Sequence, residues 1–218
     1  MKIEEVIVYV EGPSDKFAME KLLNPLITKK KMEGILIQFF EAPEGDKKES
    51  VLMKVPLRAL NILRNKPNSM VIAMPDLYPR NKGFPHQTFN ELRDGVLDRF
   101  NKALKRKGLT DDERLKARFQ VFCFKYDLEA LILASKEKLE DRLETKNLAI
   151  TWRIPVEDQN HDNPPKYIVK SLFEQHGESY QETVDAPVIL GAMNYIDIVN
   201  QCQQCFKPFV DFLTELKG

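Results

Sequence analysis

Val6-Ile-Val-Tyr-Val-Glu11-Gly-Pro-Ser-Asp15 decides how the rest of the chain reads. An apolar run ends abruptly in a glutamate, and Gly-Pro with a helix-start signal follows. An acid just past a buried strand, at the strand-to-helix turn, sits where open α/β sheets build their sites. The same arrangement recurs at Met70-Val-Ile-Ala-Met-Pro-Asp76. Two buried strands that each end in an acid predict a metal-binding carboxylate cluster.

Two further apolar runs, Ile35 to Phe40 and Phe119 to Phe124, join Val6 to Val10 and Met70 to Met74 as predicted strands. They are continuous rather than alternating, as expected when both faces of a sheet are covered. Helical patterns fall between them. The first starts near Ser14, a plausible N-cap, with Asp15 in its positive first turn and Ala18, Leu22 and Leu26 on one face. The second covers Glu49 to Arg64, with Pro56 starting or kinking it. The third covers about Gln87 to Lys107, striped by Phe89, Leu92, Val96, Phe100 and Ala103. Such alternation implies a mainly parallel sheet with right-handed crossovers.

The second half reads as helices: Asp127 to Leu133, Ser135 to Leu143, Lys166 to His176, and a last one over about Tyr195 to Leu216. Asp158 to Pro165 is a loop rich in turn formers. The expected fold is therefore α/β, a core over 1–133 with a helical C-terminal extension over 134–218 packed on it as one structural unit.

Composition bounds the function. With 218 residues, 43% hydrophobic and 30% charged, the chain reads as an ordinary soluble globular protein. Lys+Arg and Asp+Glu both number 33, so any grip on nucleic acid must come from a local patch. Lys29-Lys-Lys31 and Lys102-Ala-Leu-Lys105-Arg-Lys107 are the candidates, and each also reads as a solvated helix face. No secretory signal and no membrane span are expected, and three cysteines, an odd number, fit a reducing cytoplasm.

Glu11 at a strand's carboxyl end is suited to bind Mg²⁺ or to act as general acid or base. Its competing reading is a surface glutamate at a turn. Asp76 pairs with it as a carboxylate able to hold a divalent cation against a phosphodiester, or else simply starts a turn before Pro79. Asp127 and Glu129 gain weight as part of that cluster, or else serve a helix dipole. Cys202-Gln-Gln-Cys205 lacks a second ligand pair for structural zinc, and Cys202 falls on an apolar stripe, so it reads as core packing. His86, His161 and His176 show no metal-ligand spacing, and no glycine-rich phosphate loop is present.

Val10-Glu-Gly-Pro-Ser-Asp15 resembles the first signature of Toprim domains, found in topoisomerases, primases and overcoming-lysogenization-defect (OLD) nucleases. In that fold the glutamate works beside an Asp-x-Asp, and Mg²⁺ bridges the acids to a phosphodiester. Here the later motif is Asp76-Leu-Tyr78, with tyrosine in place of the second aspartate. The whole chain is most similar to a Toprim-like bacterial family, domain of unknown function four-two-seven-six. It shares an order of motifs: Glu11-Gly12, Asp76-Leu-Tyr78, Asp127-Leu-Glu129-Ala130, Pro164-Pro-Lys166 and Cys202-Gln-Gln-Cys-Phe206. The resemblance implies a Mg²⁺- or Mn²⁺-dependent nuclease effector of anti-phage defence that works with an ABC-type or SMC-like ATPase. Glu11, Asp76 and Glu129 would ligate metal, Glu11 would be the general base, and Lys166 would stabilise the phosphate transition state if it folds back over the site. The rival is a non-catalytic partner subunit of such an ATPase. A nucleotide-binding sensor is a third reading.

Overall fold

A computed structural model describes residues 2–45, 47–78, 80, 84–159 and 162–218; the readings on Pro79 and His161 lie outside these. Among the described residues, β1 (Glu5–Val10), β2 (Leu36–Glu41), β3 (Ser69–Ala73) and β4 (Phe119–Val121) form one sheet in the order β2-β1-β3-β4. All neighbours run parallel. Val6 stands opposite Ile37 on one side and Met70 on the other, and Ile72 stands opposite Gln120.

Helices α1 (Pro13–Leu22) and α2 (Asn24–Met32) lead from β1 to β2, while α3 (Lys47–Met53) and α4 (Val55–Asn65) lead back past β1 to β3. Helices α5 (Phe89–Arg106) and α6 (Glu113–Ala117) then lead from β3 to β4. The direction of travel reverses after β2, so right-handed crossovers send α1 and α2 to one face and α3 to α5 to the other. The packing follows that rule. Val6, Val8 and Val10 meet Ala18, Met19 and Leu22, whereas Ile7 and Tyr9 meet Val51, Ala59 and Leu63. Successive residues of β1 thus enter different cores, which is why its sequence is apolar without alternation.

The second half comprises α7 (Glu129–Leu133), α8 (Lys136–Arg142), a 3₁₀ turn over Val156–Asp158, α9 (Pro165–Gln175), α10 (Glu182–Gly191), α11 (Tyr195–Gln201) and α12 (Phe206–Glu215). These helices share one hydrophobic cluster with the α1 face of the sheet, and α10 lies along α1. A Cβ on Gly191 would come 3.2 Å from the Cβ of Lys21, so the missing side chain permits that approach. No helix among the described residues is long and apolar enough to cross a membrane.

Several expected elements are cut shorter. The first helix stops at Leu22, and Pro25 sits in the opening turn of α2, where its missing N–H costs nothing. The stretch from Glu49 to Arg64 breaks at Lys54, and Pro56 opens α4. Helix α10, apolar on much of its surface and carrying an internal Pro187, presents no clear stripe to sequence reading. The last helix is interrupted between α11 and α12; Cys202 and Cys205 flank the break, so Cys202 ends α11 instead of continuing one apolar stripe. Both are buried. Cys202 packs in the α1-side core, whereas Cys205 packs in the other, its sulfur 3.6 Å from that of Cys123. Lys30 leaves the proposed basic patch altogether: it is buried, and its ammonium donates to the carbonyls of Thr214 and Leu216, each at 2.7 Å, and to Glu33.

The break before α12 has its own anchor. Glu157 is buried and accepts three backbone N–H groups, those of Gln204 (2.6 Å), Cys205 (2.9 Å) and Phe206 (3.4 Å). Those donors begin a helix and have no intrahelical acceptor. Glu157→Ala is expected to leave them unpaired in the interior and to lower stability by about 2–4 kcal/mol. Urea unfolding curves check this, and a loss near zero would mean that other groups hold the start of α12.

Candidate functional site

Neighbouring strands β1 and β3 send their chain to different sides at their carboxyl ends, so a crevice opens between them. Glu11 follows β1 directly. Asp76 follows β3 after Met74-Pro75, and its N–H donates to Oε1 of Glu11 at 3.0 Å. The irregular continuation of β4 stays in register: Asp76 bridges to Phe124, and the N–H of Leu77 donates to the Phe124 carbonyl at 2.8 Å. That pairing brings the next residues, Asp127 to Glu129, to the same edge.

The result is a small cavity of about 80 Å³. Glu11, Asp76, Glu129 and Lys166, singled out from sequence, all line it, together with Asp127. So do Asp15, Lys47 and Glu182. Asp15 had a sequence signal: it lies four residues after Glu11 across a strand-to-helix turn, one helical turn away. Lys47 and Glu182 come from distant helices and left no local trace.

Each acid is held differently. Asp15 accepts the N–H of Gly12 at 3.0 Å through Oδ2, and burial raises its pKa. Asp76 is raised well above the usual carboxylate range, first by burial and then by the charges of Glu11, Asp15 and Asp127. Its Oδ1 is sealed from solvent and has no hydrogen-bond partner. Asp127 accepts the N–H of Lys166 at 3.3 Å through Oδ2, while its own Oδ1 is likewise sealed and unpartnered. Burial pushes Asp127 up to about 6, against the pull of Lys166. Glu129 is almost wholly buried and accepts the Tyr180 hydroxyl at 3.1 Å. Burial, then the charge of Asp127, raises Glu129 to about 8.

Among the described residues, six carboxylates line the cavity against two ammonium groups. One of those, on Lys166, is engaged by Glu182 at 2.7 Å, and Lys170 approaches the same carboxylate at 3.5 Å. Glu11, Asp76, Asp127 and Glu129 bring carboxylate oxygens to the wall from the ends of β1, β3 and the β4 continuation. Among the described residues, no three of His, Cys, Asp and Glu converge closely enough to form a ready-made metal centre.

Tyr78 supplies no carboxylate. Its hydroxyl donates to the Gln87 carbonyl at 2.7 Å and its ring lies 5.0 Å from that of Tyr126. His86 is buried nearby, its two ring nitrogens facing the carbonyls of Phe84 and Leu77 at 2.9 and 2.8 Å, so it ties Leu77 to Phe84. The basic runs lie elsewhere. Helices α2 and α5 return antiparallel to the strands, so Lys29–Lys31 and Lys105–Lys107 sit at the amino edge of the sheet, opposite the crevice. There they complement the negative ends of their helices.

No match is found among curated proteins. One solved structure with a similar course of chain is the C-terminal region of the Burkholderia pseudomallei OLD protein, 15% identical over 98% of each chain, with a TM-score of 0.45. The model of the family described as domain of unknown function (DUF4276) matches residues 10–214, and the chain belongs to that family.

Proposed function

We propose that the crevice between β1 and β3 is a Mg²⁺- or Mn²⁺-dependent phosphodiester-cleaving site on a Toprim-like core, and that the protein is a nuclease effector of prokaryotic anti-phage defence. The observation that carries this reading is the pair of sealed, unpartnered carboxylate oxygens, Oδ1 of Asp76 and Oδ1 of Asp127, in a cavity with an excess of acids. Buried carboxylate oxygens without a partner are costly, and a cation offsets that cost. The all-oxygen donor set fits a hard divalent ion. Mg²⁺ commonly takes only one or two carboxylates and keeps several waters, so a three-acid cage is not required. Of the proposed ligands Glu11, Asp76 and Glu129, one or two would contact the ion directly, and the others, with Asp127, would act through its bound waters.

The bound ion would neutralise charge at the phosphodiester and acidify water. Glu11, fixed by the Asp76 N–H, is placed to take the proton from the attacking water as the new P–O bond forms. The bond from phosphorus to the leaving sugar oxygen breaks, and solvent protonates that oxygen. Lys166 lies on the cavity wall between Asp127, Glu129 and Glu182, where it moderates their repulsion and faces an entering phosphate. An ABC- or SMC-type ATPase is the proposed partner, docking on the helices after α7.

The test is cleavage of single- and double-stranded DNA and RNA with Mg²⁺, Mn²⁺ or EDTA, with the protein alone and mixed with its ATPase. Cleavage in the metal arms and none in EDTA is expected. Tyr78 favours a second reading, a non-catalytic ATPase subunit, because its hydroxyl is committed to a backbone carbonyl where a second aspartate would stand. Absence of cleavage in every arm, with the ATPase complex intact on gel filtration, would establish that reading and sink the first.

A further inference from the structure

The cavity has an electrostatic problem that a metal only partly solves. Its wall carries six carboxylates among the described residues, and a phosphodiester is an anion. Something cationic must meet the substrate at the mouth. Of the two lysines that line the cavity, Lys166 has its ammonium 2.7 Å from Glu182 and shares that carboxylate with Lys170. An entering phosphate would have to compete with Glu182 for it.

Lys47 is different. It opens α3, its side chain is exposed, and it makes no ion pair or hydrogen bond with any described residue, although its charge reaches Asp15. Its position is nonetheless defined. A Cβ built on Gly12 would lie 3.2 Å from Nζ of Lys47 and 3.6 Å from its Cδ and Cε. The lysine stem therefore lies across the backbone of residue 12, immediately after Glu11. The φ of Gly12 is −147°, extended backbone that any residue adopts. The glycine is not required there for conformation; what its missing side chain provides is room for the lysine.

We propose that Lys47 is the substrate-binding cation of this site: its ammonium takes a non-bridging oxygen of the nucleic-acid phosphodiester, and Gly12 leaves the space in which it is seated. The inference rests on the phosphodiester reading above and adds the residue that grips the substrate. An ammonium is a compact charge on a flexible stem with three donors, suited to a phosphate oxygen whose exact approach varies. Because no described acid holds Lys47, contact with phosphate breaks no existing ion pair. The basic runs of α2 and α5 cannot substitute, since they lie at the opposite edge of the sheet.

Two readouts test this on the full chain. The first is Mg²⁺-supported cleavage of a labelled oligonucleotide by wild type, Lys47→Ala, Lys47→Arg and Gly12→Ala. Lys47→Ala is expected to lower kcat/KM about 10- to 100-fold, mainly through KM, as loss of a charged hydrogen bond does. Lys47→Arg should recover most of the loss. Gly12→Ala should shift KM in the same direction by a smaller factor, because the added methyl displaces the lysine, and its melting temperature should stay near wild type. Mn²⁺ affinity by calorimetry should be unchanged in Lys47→Ala. The second readout is oligonucleotide binding by fluorescence anisotropy with EDTA present, where no cleavage can occur. Lys47→Ala should weaken binding and flatten the slope of log affinity against log salt by about one. If wild type cuts and Lys47→Ala cuts equally well, the assignment of Lys47 is wrong and the metal reading stands. If wild type binds through Lys47 but never cuts, Lys47 stands and the nuclease reading falls. If wild type neither binds nor cuts, alone or mixed with the ATPase, both fall.

Discussion

Glu11→Gln is expected to lower metal-supported cleavage by about 10²–10⁴-fold, the range that a general base contributes. The substitution is close to isosteric. Its amide oxygen can still accept the Asp76 N–H, so the link between the ends of β1 and β3 survives. Charge and basicity are what disappear. The attacking water then has no acceptor for its proton at this position, and one proposed metal ligand becomes neutral. A second effect separates chemistry from misfolding. The charge of Glu11 helps to hold the Asp76 pKa up, so removing it should relax Asp76 toward the ordinary carboxylate range and leave metal-free stability equal or higher. Cleavage rates and thermal melts on the same preparations check both halves. A glutamine variant that cuts at the wild-type rate would show that this acid does no chemistry.

The metal-free protein is expected to lose stability steadily as pH rises from about 4.5 to 8, and Mg²⁺ or Mn²⁺ should restore most of what is lost. Glu129 rises from 4.5 to about 8 on folding, and Asp127 from 3.8 to about 6. Inside those windows the folded protein keeps a proton that the unfolded chain has released. Raising pH therefore pulls the equilibrium toward the unfolded chain, by up to about 1.4 kcal/mol per pH unit for each group. Only well below the unfolded Asp127 pKa of 3.8 do the native and unfolded states hold the same protons on these groups, and there the penalty vanishes. Glu129→Gln should remove its part of the slope, because the amide carries no charge and its oxygen can still accept the Tyr180 hydroxyl. Denaturation midpoints at pH 5, 6.5 and 8, with and without metal, measure it. Equal slopes for wild type and Glu129→Gln would show that Glu129 ionises freely in the fold. A metal effect that does not grow with pH would argue against the acids as ligands, since protons and metal compete for the same oxygens.

Much of the candidate site could be read from the chain because its key acids are tied to strand ends. Glu11 and Asp76 each follow an apolar run directly, and a parallel strand delivers its next residue to the carboxyl edge. Glu129 was readable for a related reason, since it follows the Phe119 to Phe124 run by five residues. Asp15 was seen only as a helix-start residue, although its side chain also turns to the cavity. Lys166, named from family resemblance, lies on the cavity wall, yet its tie to Glu182 has no counterpart in the local sequence.

Local sequence alone determined the parallel sheet, the positions of its four strands and the two acids at its switch point. The causes are short-range: backbone periodicity, burial of a strand on both faces, and the turn chemistry of Gly-Pro and Pro-Asp. Pro56 already marked the break at Lys54, whereas tertiary structure alone decided the break between Cys202 and Cys205, where a buried carboxylate outweighs the small propensity differences along a helix. Tertiary structure alone turned Lys30 inward to the end of α12, brought Lys47 and Glu182 to one crevice from two separate segments, and set Tyr180 against Glu129. Those residues meet only because α3 leaves the sheet at its carboxyl edge and α10 lies along α1. A contact between residues more than a hundred positions apart depends on the packed three-dimensional path, and no window of neighbouring residues records it.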